Sequence, residues 1–227
     1  MASSRNRFAI DLFAPIAHDY GRWSRVLSFG QDPLWRKRLV ARLGVKAGDL
    51  ILDVAAGTGE VSRLLSKRGC KVVSLDQSME MLSYCARRGA ATVRGRAEQL
   101  PFSDNLFDGL TFTYLLRYVD DQLACMRELV RVVRPGGVVG MVEFGRPKNI
   151  WGPLWRFYTR VCLPAAGAVI SPGWLTVGRF LGPSIDDFHR RFPEDALSRM
   201  WQEAGLADVR SIHMSFGGGL ILWGRKK

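Results

Sequence analysis

The sequence predicts an α/β fold: a doubly wound, mostly parallel sheet with helices on both faces and an antiparallel strand pair at its C-terminal end. Three observations carry that expectation. The apolar run at residues 50–54 passes into Ala55-Ala56-Gly57-Thr58-Gly59, and a helical pattern follows. From there to residue 144, short apolar runs alternate with amphipathic stretches, the pattern of strands joined by crossover helices. Near the C-terminus, residues 209–215 and 219–224 read as two further strands that pair with each other.

The elements follow in order. Residues 50–54 read as a buried strand and 61–68 as a helix closed by Gly69. Residues 71–75 are the next strand, ending at Asp76, and 79–88 are a helix closed by Gly89. Residues 91–94 are a short strand, and 108–113 a strand that carries the loop 114–121. Over 122–133 the apolar residues Leu123, Met126, Leu129, Val130 and Val133 fall on one helical face. Arg134-Pro135-Gly136-Gly137 is expected to stop that helix, and 138–143 to form a strand.

Composition bounds the function. A chain of 227 residues, 47% of them hydrophobic, suits one α/β domain with a sizeable core and excludes global disorder. Cys70, Cys85, Cys125 and Cys162 are scattered and form no CxxC, so free thiols in a reducing cytoplasm are expected rather than zinc or disulfides. No His/Cys/Asp cluster has metal-ligand spacing, and no metal is expected. Arg5, Arg7 and Asp11 interrupt any apolar N-terminal run, so secretion is not expected.

The net charge of +12 is uneven. Residues 1–50 carry nine Lys/Arg against four Asp/Glu, residues 51–144 twelve against eleven, and residues 145–227 twelve against six. The excess lies in the flanks, where it attracts polyanions, either anionic lipid or nucleic acid; a merely solubilising surface is the plain alternative. Residues 161–178 carry no charge, but Pro164, Gly167, Pro172 and Gly173 break the run. It is expected to form helical pieces that line a pocket or touch a bilayer, not a transmembrane helix. Just before it, Trp151, Trp155, Phe157 and Tyr158 mix with Arg146, Lys148, Arg156 and Arg160. That mixture suits a membrane interface, a nucleic-acid surface, or an aromatic cap packed on the core.

The glycine loop is the most informative segment. Glycine at 57 and 59 lets backbone approach a ligand where a Cβ would clash. No Lys-Ser/Thr follows, which excludes a phosphate cradle of that kind, and Ala55 stands where GxGxxG needs its first glycine. The form D-x-A-x-G-T-G resembles instead the first motif of class I S-adenosylmethionine-dependent methyltransferases. Asp76, seventeen residues after Gly59, stands where an acid accepts both ribose hydroxyls, though it could serve only as a helix cap. Met79 could cover the adenine face. Asp53 is expected to orient the loop or to meet the amino group of the methionine moiety, and to need a partner if buried.

Over roughly residues 10–225 the chain resembles the ubiquinone/menaquinone biosynthesis C-methyltransferases. The resemblance rests on a collinear set: Phe13, Ala17 and Tyr20; Leu27-Ser28-Phe29-Gly30; Leu34-Trp35-Arg36; Ala97-Glu98-Gln99-Leu100-Pro101-Phe102; Leu116-Arg117-Tyr118-Val119. It continues through Val133-Arg134-Pro135-Gly136-Gly137, Glu143-Phe144-Gly145-Arg146-Pro147, Arg191-Phe192-Pro193 and Gly217-Gly218. The resemblance implies a Rossmann-like single domain over 1–227: an N-terminal helical cap (1–48), a cofactor-binding core (49–144), and acceptor-binding helices with terminal strands (145–227). It implies that Tyr20 and Arg38 bind the methionine end of S-adenosylmethionine. Asp53, Ala55, Gly57, Thr58, Gly59, Asp76, Gln77, Met79, Ala97, Glu98 and Tyr114 complete the expected cofactor set.

Three positions depart from the family pattern. Arg96 stands where the family has an Asp for the adenine amino group, and arginine cannot accept that hydrogen bond. Gly21 replaces an Asp, and Tyr118 an Asn. Carbon methylation of a quinol also needs a base, because the hydroxyl must ionise before its ring carbon attacks. Arg117 is expected to stabilise the phenolate, unless it merely pairs with Asp120 or Asp121. Tyr118 joins it as a catalytic candidate, and His189 is the best-placed histidine for a base.

The expected acceptor is lipophilic, most simply a prenylated, demethylmenaquinol-like quinol. Tyr114 and Tyr118 could instead face a cationic amine, as in methylation of a phospholipid headgroup or a small-molecule amine. A non-catalytic cofactor- or nucleic-acid-binding protein is the reading of another class. The basic flanks carry no recognisable nucleic-acid motif, so nucleic acid is not the expected partner. A monomer or homodimer in the cytoplasm, in peripheral contact with the anionic inner face of the membrane, is expected.

Overall fold

The computed structural model describes residues 4–227. Three helices lead: α1 (Ser4–Phe13), α2 (Tyr20–Leu27) and α3 (Gln31–Arg42). The alternating core follows as β1 (Leu50–Val54), α4 (Glu60–Ser66), β2 (Lys71–Asp76), α5 (Met79–Ala86), β3 (Ala91–Arg94), β4 (Phe107–Thr113), α6 (Gln122–Arg131) and β5 (Val133–Phe144). A helical segment comes next: α7 (Trp151–Phe157), a π-turn (Tyr158–Cys162), α8 (Leu163–Ile170), α9 (Pro172–Arg191) and α10 (Glu194–Glu203). The chain closes with β6 (Leu206–Met214) and β7 (Gly219–Lys226).

The seven strands order as β3-β2-β1-β4-β5-β7-β6. The first five are parallel; β7 runs antiparallel to both β5 and β6. From β1 the chain builds outward through β2 and β3, then returns to place β4 on the other side of β1. That reversal opens a crevice at the C-terminal ends of β1 and β4, where α/β sheets bind ligands. The central strands are apolar on both faces, as helices covering both sides require. One core cluster joins Leu52, Phe112, Met126, Phe188 and Trp201; the other joins Trp35, Leu39, Ile51, Val142 and Ile221. A third cluster ties Leu12, Ile16, Tyr118, Trp174 and Val177 together, fastening the N-terminal helices to α9.

One expectation changes. Arg134-Pro135-Gly136-Gly137 does not separate α6 from a later strand. It lies inside β5, which pairs Val133 with Phe107 before an irregularity resets the register at Val138 and Gly109. The uncharged run 161–178 is shared between the π-turn, α8 and α9. Among the described residues no helix is long and apolar enough to cross a membrane. Cys70, Cys85, Cys125 and Cys162 are free thiols.

Candidate active site

The glycine loop leaves β1 through three residues of positive φ: Ala55 (53°), Gly57 (56°) and Gly59 (84°). A Cβ on Gly57 would meet no protein atom within 4 Å, so that side of the loop is open to the crevice. Gly59 is different. It does not line the crevice cavity, and a Cβ there would lie 2.6 Å from Cys85 Sγ, so packing of the loop against α5 requires a glycine. Asp53 also stays out of the crevice. It accepts hydrogen bonds from Ser62 Oγ (2.6 Å) and Thr111 Oγ1 (3.0 Å), which pins β1 to α4 and β4. Burial pushes its carboxyl up to about 6, against the pull of those two hydroxyls. The expected partner is thus a pair of hydroxyls, and the loop-orienting role is the one the geometry permits.

Asp76 faces the crevice with one oxygen accepting from Gly57 N (2.8 Å) and the other from Ser78 N (2.9 Å). The cap of α5 is Ser78, whose Oγ accepts from Met81 N, so Asp76 is not the cap. Burial raises its pKa, and the backbone donors oppose that shift. Each oxygen retains a lone pair for a further donor. Ala55, Gly57, Thr58, Gln77, Ala97, Glu98, Tyr20 and Tyr114 line the same cavity.

Besides Asp53 and Gly59, two further expected residues do not reach it. Met79 opens α5 and is half exposed; Met81, on the helix's inward face, lines the cavity in its place. Arg38 sits on the outer face of α3 and is exposed. Arg36, in phase with Asp32, Trp35 and Leu39, points inward and lines the cavity. Its Nε donates to both oxygens of Asp32 at 2.9 and 3.0 Å, and a terminal nitrogen donates to Thr113 Oγ1. Burial alone would lower the Arg36 pKa, but Asp32 turns the shift upward.

A second cavity, of about 480 Å³, adjoins the first, and Phe13, Tyr20 and Tyr114 line both. Its wall is apolar, with Trp35, Phe144, Trp151, Leu163, Trp174 and Val177 among its residues. Indole N–H bonds hold two of these rings: Trp35 Nε1 donates to Ser215 Oγ (2.8 Å) and Trp174 Nε1 to Asp19 Oδ1 (3.0 Å). Two charges face this wall. Among the described residues, Asp32 is its one carboxylate and Arg117 its one full cation. Arg117 Nε donates to Glu143 Oε1 (3.0 Å), and a terminal nitrogen to Ser184 Oγ (3.2 Å). It therefore pairs neither with Asp120, which meets Arg5, nor with Asp121, which caps α6.

Tyr118 and His189 depart further from expectation. Tyr118 lines the first cavity and not the second. Its hydroxyl is buried without a partner, and burial pushes its pKa up to about 12. His189 lines neither cavity. Its Nε2 lies 2.6 Å from the Phe144 carbonyl oxygen and must donate to it, so the ring is anchored to β5 outside the crevice.

Sequence reasoning missed Asp32, Glu143 and Glu60. Asp32 and Arg36 look like an ordinary i,i+4 surface pair, and only their burial shows otherwise. Glu143 ended a strand with no visible partner for its charge. Glu60 lines the first cavity, and its Oε1 would lie 3.1 Å from a Cβ on Gly21. A carboxylate from α4 thus stands beside residue 21, where it also accepts from Arg88 at 2.7 Å.

The first cavity fits an adenosyl ligand. Thr58 Oγ1, Gln77 Oε1 and Glu98 Oε2 are buried there without partners, as groups awaiting a polar ligand would be. With the open glycine loop after β1 and the acid after β2, they define the site of an S-adenosylmethionine-dependent methyltransferase.

The comparisons agree. A sequence model of the ubiE/COQ5 methyltransferase family matches residues 1–226, and the chain belongs to that family. It is 36% identical over 208 residues to a demethylmenaquinone methyltransferase of Corynebacterium glutamicum, covering 91% of this chain and 88% of that one. It is 38% identical over 209 residues to one of Mycobacterium sp. (strain KMS), with the same coverage. Among solved structures, an S-adenosylmethionine-dependent methyltransferase of Thermotoga maritima, described as a possible histamine N-methyltransferase, superposes with a TM-score of 0.67. That match has 20% identity and covers 96% of this chain and 99% of that one, and it shows the fold alone.

Proposed function

We propose that this methyltransferase methylates a ring carbon of a prenylated, demethylmenaquinol-like quinol drawn from the inner face of a membrane. One observation carries the reading: an apolar cavity of about 480 Å³ with a single buried guanidinium and a single buried carboxylate adjoins the cofactor cavity. The names of the curated relatives point to the same acceptor class. The amine alternative has no counterpart in the names of those relatives, and the Arg117 guanidinium is suited to a phenolate oxygen.

S-adenosylmethionine, when bound, supplies a methyl group on a cationic sulfur. Asp76 accepts its ribose hydroxyls, while Gln77 and Glu98 offer their unpartnered oxygens to the adenine, replacing the acid that Arg96 displaces. Arg36 and Tyr20 serve the methionine carboxylate, and Glu60 its ammonium. In the neighbouring cavity the apolar wall takes the prenyl chain and excludes water, which strengthens every charge interaction there. Asp32 takes the proton of the quinol hydroxyl, directly or through Tyr114, and Arg117 stabilises the phenolate oxygen. Loss of that proton makes the adjacent ring carbon nucleophilic.

The test is purified enzyme with S-adenosylmethionine and either a reduced short-chain demethylmenaquinol or phosphatidylethanolamine. A ring-methylated quinol, identified by mass and proton NMR, supports the reading. Methylation of the amine alone would overturn it.

A further inference from the structure

A third cavity, of about 470 Å³, lies outside the machinery described above. Arg146, Lys148 and Arg156 line it, together with His189, His213 and Glu194. We infer that this cleft is a binding site for the phosphate of an anionic phospholipid, placed beside the mouth of the acceptor cavity. The inference rests on the reading of that neighbouring cavity as one that takes a lipid-borne acceptor.

The charge balance comes first. Three permanent cations face one carboxylate, and that carboxylate is engaged: Glu194 accepts from the Ser211 hydroxyl and pairs with His213 Nε2 at 2.8 Å. Arg146 reaches Asp186 only at 3.6 Å, and Arg160 holds the same carboxylate at 2.5 Å. Among the described residues, Lys148 and Arg156 have no carboxylate within ion-pair distance. Like charges gathered in a cleft raise the local potential and concentrate a counter-anion. The group that satisfies several such donors at once is a phosphate, with its strong acceptor oxygens.

Location then selects the kind of phosphate. Pro147 and Trp155 line both this cleft and the acceptor cavity, so the two adjoin. Helix α7 stands between them. It gives Trp151 and Leu154 to the acceptor cavity, and Gly152, Pro153 and Arg156 to the cleft. Around it, Ile150 is 79% exposed and Leu154 and Phe157 are each 57% exposed. The aliphatic tips of Ile150 and Leu154 cannot stack on bases, and with Phe157 they suit acyl chains at the depth where basic side chains meet headgroups. A phosphodiester carrying acyl chains satisfies both halves of the surface; free phosphate or nucleic acid satisfies only the basic half.

The experiment uses the full chain and vesicles of phosphatidylcholine with and without phosphatidylglycerol. Wild type should sediment with the anionic vesicles, and less so as salt rises. The double variant K148E/R156E changes two exposed residues, and calorimetric binding of S-adenosylmethionine reports whether its fold is intact. Its affinity for anionic vesicles should fall by about thirtyfold or more, the value of two basic residues near such a surface. The charge-matched control K67E/K71E alters the far side of the sheet, where β2 begins beside the edge strand β3, and should fall far less. Turnover of vesicle-borne quinol relative to a water-soluble analogue should drop in the first variant only.

Equal losses in the two double variants, or no loss in K148E/R156E, would overturn the site. So would saturable binding of inorganic phosphate, seen as shifts of the His189 and His213 ring signals, that wild type shows without preferring anionic vesicles. Failure of wild type to methylate any quinol would leave the vesicle measurements standing, so the two readings fail separately.

Discussion

The hydroxyl of Tyr114 donates to Asp32 Oδ1 at 2.6 Å, while Arg36 holds both oxygens of the same carboxylate. This buried trio lies where the cofactor and acceptor cavities meet. Asp32 is the one carboxylate facing the acceptor, so Asp32→Asn should lower kcat by about 10²-fold or more, the usual worth of a positioned base. Both variants leave the buried Arg36 charge without a carboxylate and should destabilise the fold, Asp32→Ala by about 3–5 kcal/mol because it removes the hydrogen bonds as well. Steady-state kinetics and urea melts check the two effects. Wild-type turnover by D32N would remove Asp32 from the mechanism.

Arg117 and Glu143 separate stability from activity. Both side chains are only 2% exposed, and Glu143 also accepts from the Phe144 amide at 2.8 Å. Glu143→Ala strands a buried guanidinium and should cost about 3–5 kcal/mol. For a chain of this size that lowers Tm by roughly 10 °C. The double change Arg117→Met/Glu143→Leu removes both buried charges and should melt closer to wild type, while kcat falls by about 10²–10³-fold. Thermal melts beside single-turnover rates give both numbers; an active double variant would refute the phenolate role.

How much of this was legible in the sequence depended on whether the signal was local. The strand-glycine-helix pattern at 50–60 and the acid at 76 are contiguous features whose spacing itself encodes the turn, and the structure places them around one cavity. Arg36 against Arg38, and Met81 against Met79, were decided by helical phase. A shift of two residues reverses the face a side chain presents, and charge or hydrophobicity alone does not report it. Glu143 could not be found at all, because its partner Arg117 is 26 residues away on a different element. Gly59 was recognised as a site of close backbone approach, and a packing reason for it was not visible. Its neighbour Cys85 belongs to α5, and that contact exists only once the sheet has assembled.

Asp76 offers a sharper test of the cofactor site. Its two oxygens already organise Gly57 and Ser78, so its removal withdraws the ribose acceptor and leaves the Gly57 amide without a partner. Asp76→Ala should weaken S-adenosylmethionine binding by at least about 10²-fold, two hydrogen bonds to a charged group at about 1.5 kcal/mol or more each. Calorimetric titration measures it. Unchanged affinity would mean that the ligand's ribose lies elsewhere.

Asp53 makes a prediction about pH. Its carboxyl is raised to about 6 in the folded protein against 3.8 for an unperturbed group. Between those values the folded state binds the proton and the unfolded chain does not. Stability that is present below about pH 4 is therefore lost as pH rises through 6, an amount of about 3 kcal/mol for a fully buried group. Asp76 is shifted in the same direction, so wild type alone would report both. The difference between wild type and Asp53→Asn cancels the Asp76 contribution. Measured by urea unfolding, that difference should move by about 2.4 kcal/mol against wild type from pH 4 to pH 7, and almost all of the movement should fall below pH 6.5. A flat difference would show that the Ser62 and Thr111 hydroxyls fully compensate the burial of the charge. Asp53 would then fix the geometry of the glycine loop at no energetic cost.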